Sequence, residues 1–473
     1  MASPNIAFES IPASIRKPGK YAEFNYKLAV RTLPGNRQRV LIVGQKTIAG
    51  ALPALTPFDI YSESEAATYF GAGSIGHLMV RSALKSNPYM VLTIVPVDDA
   101  GAGVAATATI TFAGNASAAG VTSVSANAAL IEIATVTGDT PTIQAAALVA
   151  QIAKQTDLPF TATNLAGVVT LTAKNKGTLG NAIKLTVKTT VIGTTVTPVA
   201  FATGATDPNL TNVLATVFAL GHNIIITPYN DSANLTILRT HLDAVSGPLE
   251  KRYCIAACGF IGTSGQAFTV QQAVNARRIF ALLDPSAFEA SYEVAASFGA
   301  IIAGEEDPAL PLNGLHLKSL LPTPLVSRMG RVEQESCLYN GITPTEVGPG
   351  DKLQIVRAIS MYVLDPQGVP DISGLDITTQ RTLDYVAKAC VDRLSLRFPR
   401  DKKTKRVKLK IRSELLDVLR KCEELEFVEA VEENKAGLIV EDDLQDPNRV
   451  DIRIPVDVVN GLHITAMRID LYL

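Results

Sequence analysis

Short uninterrupted apolar runs recur along this chain, separated by stretches whose apolar residues return every three or four positions. Val40-Leu41-Ile42-Val43, followed by Gly44, is a run of the kind that fills a strand covered on both faces. Met90-Val91-Leu92-Thr93-Ile94-Val95 is a second, 223–227 a third and 253–260 a fourth, with a weaker one at 278–283. The segments between them predict helices: one carrying Ala66, Tyr69, Phe70, Leu78, Val80 and Leu84, then 209–220, 234–246 and 286–303. Strands alternating with helices predict a parallel α/β sheet, because parallel neighbours need a crossover connection.

The alternation stops between Asp98 and about Asp207. From Gly101 to Gln151 the only charged residues are Glu132 and Asp139. Segments 107–112, 168–173 and 183–189 alternate with period two, as half-buried strands do, and 143–156 reads as one helix. We expect a small β-rich domain inserted at a surface loop of the α/β domain. A low-complexity linker is the alternative, and regular strand patterning argues against it.

A third region starts near Gly341, beyond a connection carrying Pro308, Pro311, Pro322 and Pro324. It reads as a strand at 352–363, then a helix on Leu383, Val386, Ala387, Cys390, Val391 and Leu394 that Pro399 stops. A second helix is expected at 413–427 with Ser413 as N-cap. Ile452, Ile454, Val456 and Val458 then alternate with Arg453, Pro455 and Asp457. Residues 1–35, interrupted by Pro4, Pro12, Pro18 and Pro34, and residues 460–473 read as extended arms without a core of their own. The expected division is 1–35, 36–97 with 207–340, 98–206, 341–459 and 460–473.

Length and composition narrow the function. At about 150 residues per domain, 473 residues make roughly three domains. A composition of 47% hydrophobic and 19% charged residues is that of a globular chain. The net charge of −2 argues against nucleic acid as the main partner and leaves little self-repulsion to oppose association of copies. No apolar stretch reaches the ~18 residues of a membrane span. Residues 1–20 carry no signal-peptide-like apolar core. The five cysteines are odd in number and dispersed, which fits a reducing compartment. Cys254 and Cys258, the one close pair, read as strand core rather than metal ligands.

The search for chemistry returns little. His77, His222, His241, His316 and His463 lie in separate elements, with no metalloprotease spacing. Gly262-Thr263-Ser264-Gly265 follows a buried strand, where a nucleophile would sit, but no context for a partner histidine and carboxylate accompanies it; a tight turn is the better reading. Gly71-Ala72-Gly73-Ser74-Ile75-Gly76 fits Gly-x-Gly-x-x-Gly but lies within a helical stretch rather than directly after a strand. No cofactor or metal site is expected. The dense charge cluster is Arg397, Arg400, Lys402, Lys403, Lys405, Arg406, Lys408, Lys410 and Arg412, with Asp401 its only acid. It reads either as a solvated loop and strand edge or as a basic surface for an acidic partner.

The chain resembles the contractile phage tail sheath family, in particular its Mu-like branch. The resemblance runs through Ile11-Pro12, Arg16-Lys17-Pro18-Gly19-Lys20-Tyr21-Ala22-Glu23-Phe24, Asp157-Leu158-Pro159-Phe160-Thr161-Ala162, Val168-Val169-Thr170-Leu171-Thr172-Ala173-Lys174 and Gly177-Thr178-Leu179-Gly180-Asn181. It continues through Thr227-Pro228-Tyr229-Asn230-Asp231, Asp307-Pro308-Ala309, Asp371-Ile372-Ser373-Gly374-Leu375-Asp376-Ile377-Thr378-Thr379 and Phe398-Pro399-Arg400. It ends on Asp446-Pro447-Asn448-Arg449-Val450-Asp451, the most telling run, and Ile469-Asp470-Leu471-Tyr472-Leu473. Order and spacing together make the match specific.

The resemblance implies a subtilisin-like α/β domain without catalytic activity, a peripheral insertion and an α+β C-terminal domain facing an inner tube. It implies copies that polymerise helically around the tail tube and contract on a baseplate signal, driving the tube through the host envelope. The expected partners are other copies, the tail tube protein, and baseplate and tail terminator proteins, with no nucleic acid and no membrane insertion. The expected location is the virion tail, and the host cytoplasm during assembly. A single chain carrying the insertion favours a phage or prophage over a domesticated bacteriocin or injection particle; a hydrolase on the α/β domain is the remaining alternative. Strand character without a local partner makes the arms candidates for strand exchange between copies, with Tyr21, Phe24, Ile464, Met467, Ile469 and Leu471 as contact residues. Tube-facing candidates are Arg400, Lys402, Lys403, Lys405 and Arg406.

Overall fold

The computed structural model describes residues 14–23 and 33–472, so Phe24 lies outside the described residues. Its centre is an eight-stranded sheet in the order Lys352–Ile355, Thr343–Gly348, Ile279–Leu283, Ile255–Phe260, Ile224–Ile226, Arg39–Gln45, Val91–Val97, Phe58–Asp59. The six inner strands are mutually parallel and each edge strand is antiparallel to its neighbour. Val40 to Val43 and Ile279 to Leu283 are wholly buried, which requires cover on both faces of the sheet. Helix Ser291–Gly304 supplies part of that cover and is itself buried along almost its whole length. The strand read from sequence at 352–363 is shorter, Lys352–Ile355, because the chain then leaves the edge and Ser360 bridges Phe280 instead.

After Val97 the chain leaves the carboxyl edge of this sheet. It forms a four-stranded antiparallel sheet (Thr195–Ala202, Ala105–Ala113, Val168–Lys176, Phe160–Leu165) and a three-stranded one (Ala129–Thr135, Gly120–Ala126, Leu185–Thr189), with helix Pro141–Lys154. Alternate residues Ala106, Ala108, Ile110 and Phe112 point into a separate core with Val124, Leu148, Phe160 and Leu171. The polar seam to the main sheet is closely bonded, although the buried Gln45 Oε1 has no partner among the described residues. Asp99 accepts hydrogen bonds from Gln45 (2.9 Å), Asn175 (3.1 Å) and the Lys176 amide (3.1 Å). Asn175 also donates to the Lys46 carbonyl (3.0 Å) and accepts from the Ile75 amide (2.9 Å), so a residue of the insertion satisfies the first turn of a helix of the main domain.

The third region hangs from the amino edge of the sheet. Helices Ile377–Arg397 and Lys405–Glu424 pack through Tyr385, Val386, Ala389, Leu415, Val418 and Leu419. Arg278 at the sheet edge makes two hydrogen bonds to Asp384 (2.8 and 2.9 Å), and Tyr385 donates to the Pro34 carbonyl (2.9 Å). The second helix starts at Lys405, not near Ser413. Thr404 is its cap, accepting from the Val407 amide (3.2 Å). The cations between Val407, Ile411 and Leu415 conceal the helical spacing in the sequence. Ile439–Asp442 and Val450–Arg453 form a two-stranded hairpin.

Asn175→Ala removes an acceptor from a buried amide and a donor from Asp99 and Lys46. It should lower stability by about 1–3 kcal/mol, measured by urea unfolding. An unchanged midpoint would mean that water replaces the carboxamide and that the seam carries no load.

Candidate assembly surfaces

The two sequence motifs that hinted at catalysis are built for packing. Gly71 to Gly76 does not lie inside one helix; it is the break between Glu63–Phe70 and Ile75–Ser86. Three amides that would face a phosphate are already taken. Gly73 donates to His77 Nδ1 (3.0 Å), Ile75 to Asn175 Oδ1, and His77 to Ser74 Oγ (3.2 Å). A Cβ on Gly73 would sit 2.2 Å from the Leu158 carbonyl oxygen, and one on Gly76 would sit 2.3 Å from the Phe70 ring. The glycines therefore admit the insertion and the helix at close range. Thr263 is the N-cap of helix Ser264–Val274, so Ser264 begins that helix. Among the described residues no histidine is hydrogen-bonded to Ser264, and none of their acidic, histidine and cysteine side chains gather into a cluster that could hold a metal. All five cysteines are buried, and burial pushes the Cys258 thiol up to about 12. No helix among the described residues is long and apolar enough to cross a membrane.

The surfaces that remain unexplained by the chain's own core are its ends and its basic segment. The C-terminal arm is rooted at His463, whose Nδ1 is 2.8 Å from Asn313 and whose Nε2 is 3.5 Å from Asp376. Beyond that root Ile464, Met467, Ile469 and Leu471 are 81–91% exposed. Met467, Ile469 and Leu471 alternate with Arg468, Asp470 and Tyr472, the period of a strand, yet no strand partner lies on the chain among the described residues. Tyr21 is also exposed, and its hydroxyl donates to Lys17 O (2.8 Å), a purely local contact.

The basic segment divides into a tied and an untied set. Lys403 and Lys408 converge on Asp442 of the hairpin (3.0 and 2.5 Å), and Lys403 also donates to the Pro447 carbonyl (2.7 Å). Arg412 donates to the carbonyls of Leu438 and Lys435 (2.9 and 2.7 Å). Arg400, Lys402, Lys405 and Arg406 are exposed and have no acidic partner among the described residues. Of the five tube-facing candidates, Lys403 is thus engaged with its own hairpin. The hairpin itself was not read from sequence as an assembly element; its signal, two short alternating runs around Asp446-Pro447-Asn448, is weak.

Two family models match the chain: the phage tail sheath protein central domain over residues 203–361 and the phage tail sheath C-terminal domain over residues 370–471. The chain is 30% identical over 490 residues to the Mu-like prophage FluMu tail sheath protein of Haemophilus influenzae, covering 99% of this chain and all of that one. The chain belongs to the phage tail sheath family. Its fold is shared with the sheath tail protein of Desulfitobacterium hafniense (TM-score 0.53, 13% identity, 94% of this chain and 97% of that one). It is shared equally with that of Listeria innocua (TM-score 0.52, 13% identity, 92% and 94%). This sheath protein is a structural subunit and a component of a virion tail, and its relatives are structural proteins.

In this sheath subunit several strongly perturbed groups sit in packed interior. Burial pulls His77 and His222 down to about 4. Burial also pushes Glu289 up to about 7; its Oε1 accepts from the Leu321 amide (3.0 Å) and its Oε2 has no partner among the described residues. The two effects tilt stability oppositely. The neutral histidines stabilise above their unfolded value near 6.5, and that contribution is lost as pH falls toward 4. Glu289 is protonated in the folded chain below about 7, so its contribution is full below the unfolded value near 4.5 and lost as pH rises through 7. Glu289→Gln, a neutral isostere, should therefore be about 1–3 kcal/mol more stable than wild type at pH 8 and match it near pH 4.5, in urea melts. The reverse ordering would place a charged, well-paired carboxylate at this position.

Proposed function

We propose that this chain is the sheath subunit of a contractile phage or prophage tail. Copies assemble helically around a tail tube, hold an extended state, and shorten on a baseplate signal to drive the tube through the host envelope. The observation that carries this reading is the full-length match to a Mu-like prophage tail sheath, with both sheath domains in order. Partners on this reading are other copies, the tube protein, and baseplate and terminator proteins. Assembly takes place in the host cytoplasm, and the α/β domain performs no catalysis.

Strand exchange through the arms is supported by an apolar, alternating and exposed C-terminus, and by a hairpin of only two strands with an open edge on either side among the described residues. An arm of a neighbouring copy added to such an edge satisfies its main-chain groups and buries alternate side chains. The domain division 1–35, 36–97 with 207–340, 98–206, 341–459 and 460–473 assigns the insertion to the periphery and 341–459 to the tube side. Tube contact through Arg400, Lys402, Lys405 and Arg406 is supported by their exposure and lack of acidic partners among the described residues.

Purified wild-type chain should form hollow tubes in electron micrographs. A chain ending at His463, which keeps the root contacts to Asn313 and Asp376, should melt like wild type but remain unassembled; normal tubes from it would remove strand exchange through this arm. Lys402→Glu with Lys405→Glu and Arg406→Glu leaves the Lys403–Asp442 contact in place. It should not alter the melting temperature of the subunit, because exposed charges contribute only about 0–1 kcal/mol each. It should shift tails toward premature contraction or tubeless sheaths, and high salt should move wild type the same way. Extended tails of normal salt tolerance would place the tube contact elsewhere.

A further inference from the structure

We propose that the cleft between the amino edge of the main sheet and helix Ile377–Arg397 is an oxyanion site, filled in the assembled sheath by a carboxylate of a second copy of this chain. The cleft has a volume of about 380 Å³. It is lined by Arg37, Arg39, Lys251, Arg252, Arg381 and Lys388, against which stand only Asp384 and Asp392. Asp384 is already committed to Arg278, and Arg252 to Glu250 (2.6 Å). Among the described residues, none of the other five cations has a carboxylate partner; Arg39 donates to the Leu220 carbonyl (3.0 Å).

Arg381 makes this a built site rather than a charged surface. It is only 6% exposed. One terminal nitrogen donates to the Glu305 carbonyl, and the other, Nη1, is buried with no acceptor among the described residues; the Glu305 and Asp307 carboxylates act on this guanidinium only from beyond ion-pair distance. A buried guanidinium with an idle N–H is unfavourable until an acceptor arrives, and charge-assisted contact to an oxyanion is the strongest bond it can make. The Tyr385 hydroxyl beside it is occupied by Pro34. A second copy is the occupant because the whole chain has a net charge of −2 while this cleft is strongly positive. Outside the cleft lining the chain holds 37 Lys and Arg against 43 Asp and Glu, so neighbouring copies bring an excess of carboxylates at high local concentration. This inference rests on the sheath reading.

The test uses the full chain carrying Lys251→Glu with Lys388→Glu and, separately, Arg381→Met. The concentration at which tubes form, followed by light scattering and electron microscopy, should rise roughly tenfold or more in both. The melting temperature of the unassembled charge-reversed chain should stay within about 2 °C of wild type. Sodium phosphate should suppress wild-type assembly more than sodium chloride at equal ionic strength, and this difference should vanish in Arg381→Met. Tube formation at the wild-type concentration in both variants overturns the proposal. Phosphate that raises the melting temperature of wild type but not of Arg381→Met, with assembly unchanged in both, identifies a free anion as the ligand and overturns the second copy as occupant. Failure of the sheath reading looks different: wild-type chain that never assembles under any salt, which also removes the second copy.

Discussion

The constraint from which the rest of this structure follows is burial of the central sheet on both faces. Val40, Leu41, Ile42 and Val43 expose nothing, and neither do Ile279 through Leu283. A sheet this apolar leaves only its two ends, where strands meet loops, for additional domains. The insertion leaves from the carboxyl end after Val97, and the helical C-terminal region docks at the amino end through Arg278 and Asp384. Each attachment is polar and closely paired. At the carboxyl end Asp99 and Asn175 satisfy backbone groups from both sides of the seam. At the amino end bidentate Arg–Asp contact fixes direction as well as distance.

Such seams matter for a subunit that has to transmit force. Unpaired polar groups at a domain boundary invite water and opening, whereas a closely bonded boundary resists them. Little of the chain's own structure holds 464–472, which have exposed apolar side chains and no strand partner among the described residues. The described structure thus separates a closely paired body from a C-terminal segment that makes few contacts with it.

Legibility in the sequence follows the same division. Runs such as 40–43 and 90–95 announce buried strands because no polar residue is tolerated there, and the sheet contains them. In the insertion, 107–112 and 168–173 were readable from strict alternation, but Gly120–Ala126 was not, since Ser, Thr and Ala at its positions blur the contrast between faces. Thr195–Ala202 was hidden by Pro198, which an edge strand tolerates. The start of helix Lys405–Glu424 was masked by cations that prove to be its polar face, one of them, Lys408, drawn to Asp442. The cleft around Arg381 could not be read at all. It is assembled from residues near 37, 251 and 388, which only the docking of two domains brings together.

Exposed apolar arms carry a hazard that the remaining surface has to contain. A chain near neutrality has little long-range repulsion, so a bare alternating segment such as 467–472 is free to pair with any open edge. Within the main sheet such edges are short. Each end of the main sheet closes on a short antiparallel strand, of four residues at Lys352–Ile355 and two at Phe58–Asp59. The hairpin of Ile439–Asp442 and Val450–Arg453 offers further edges in the C-terminal region. Its position is fixed by Lys403 and Lys408 on Asp442 and by Arg412 on the carbonyls of Leu438 and Lys435. Anchoring that hairpin while keeping the edges of the main sheet short narrows the choices open to an incoming strand. On the strand-exchange proposal, that narrowing separates an ordered lattice from an aggregate.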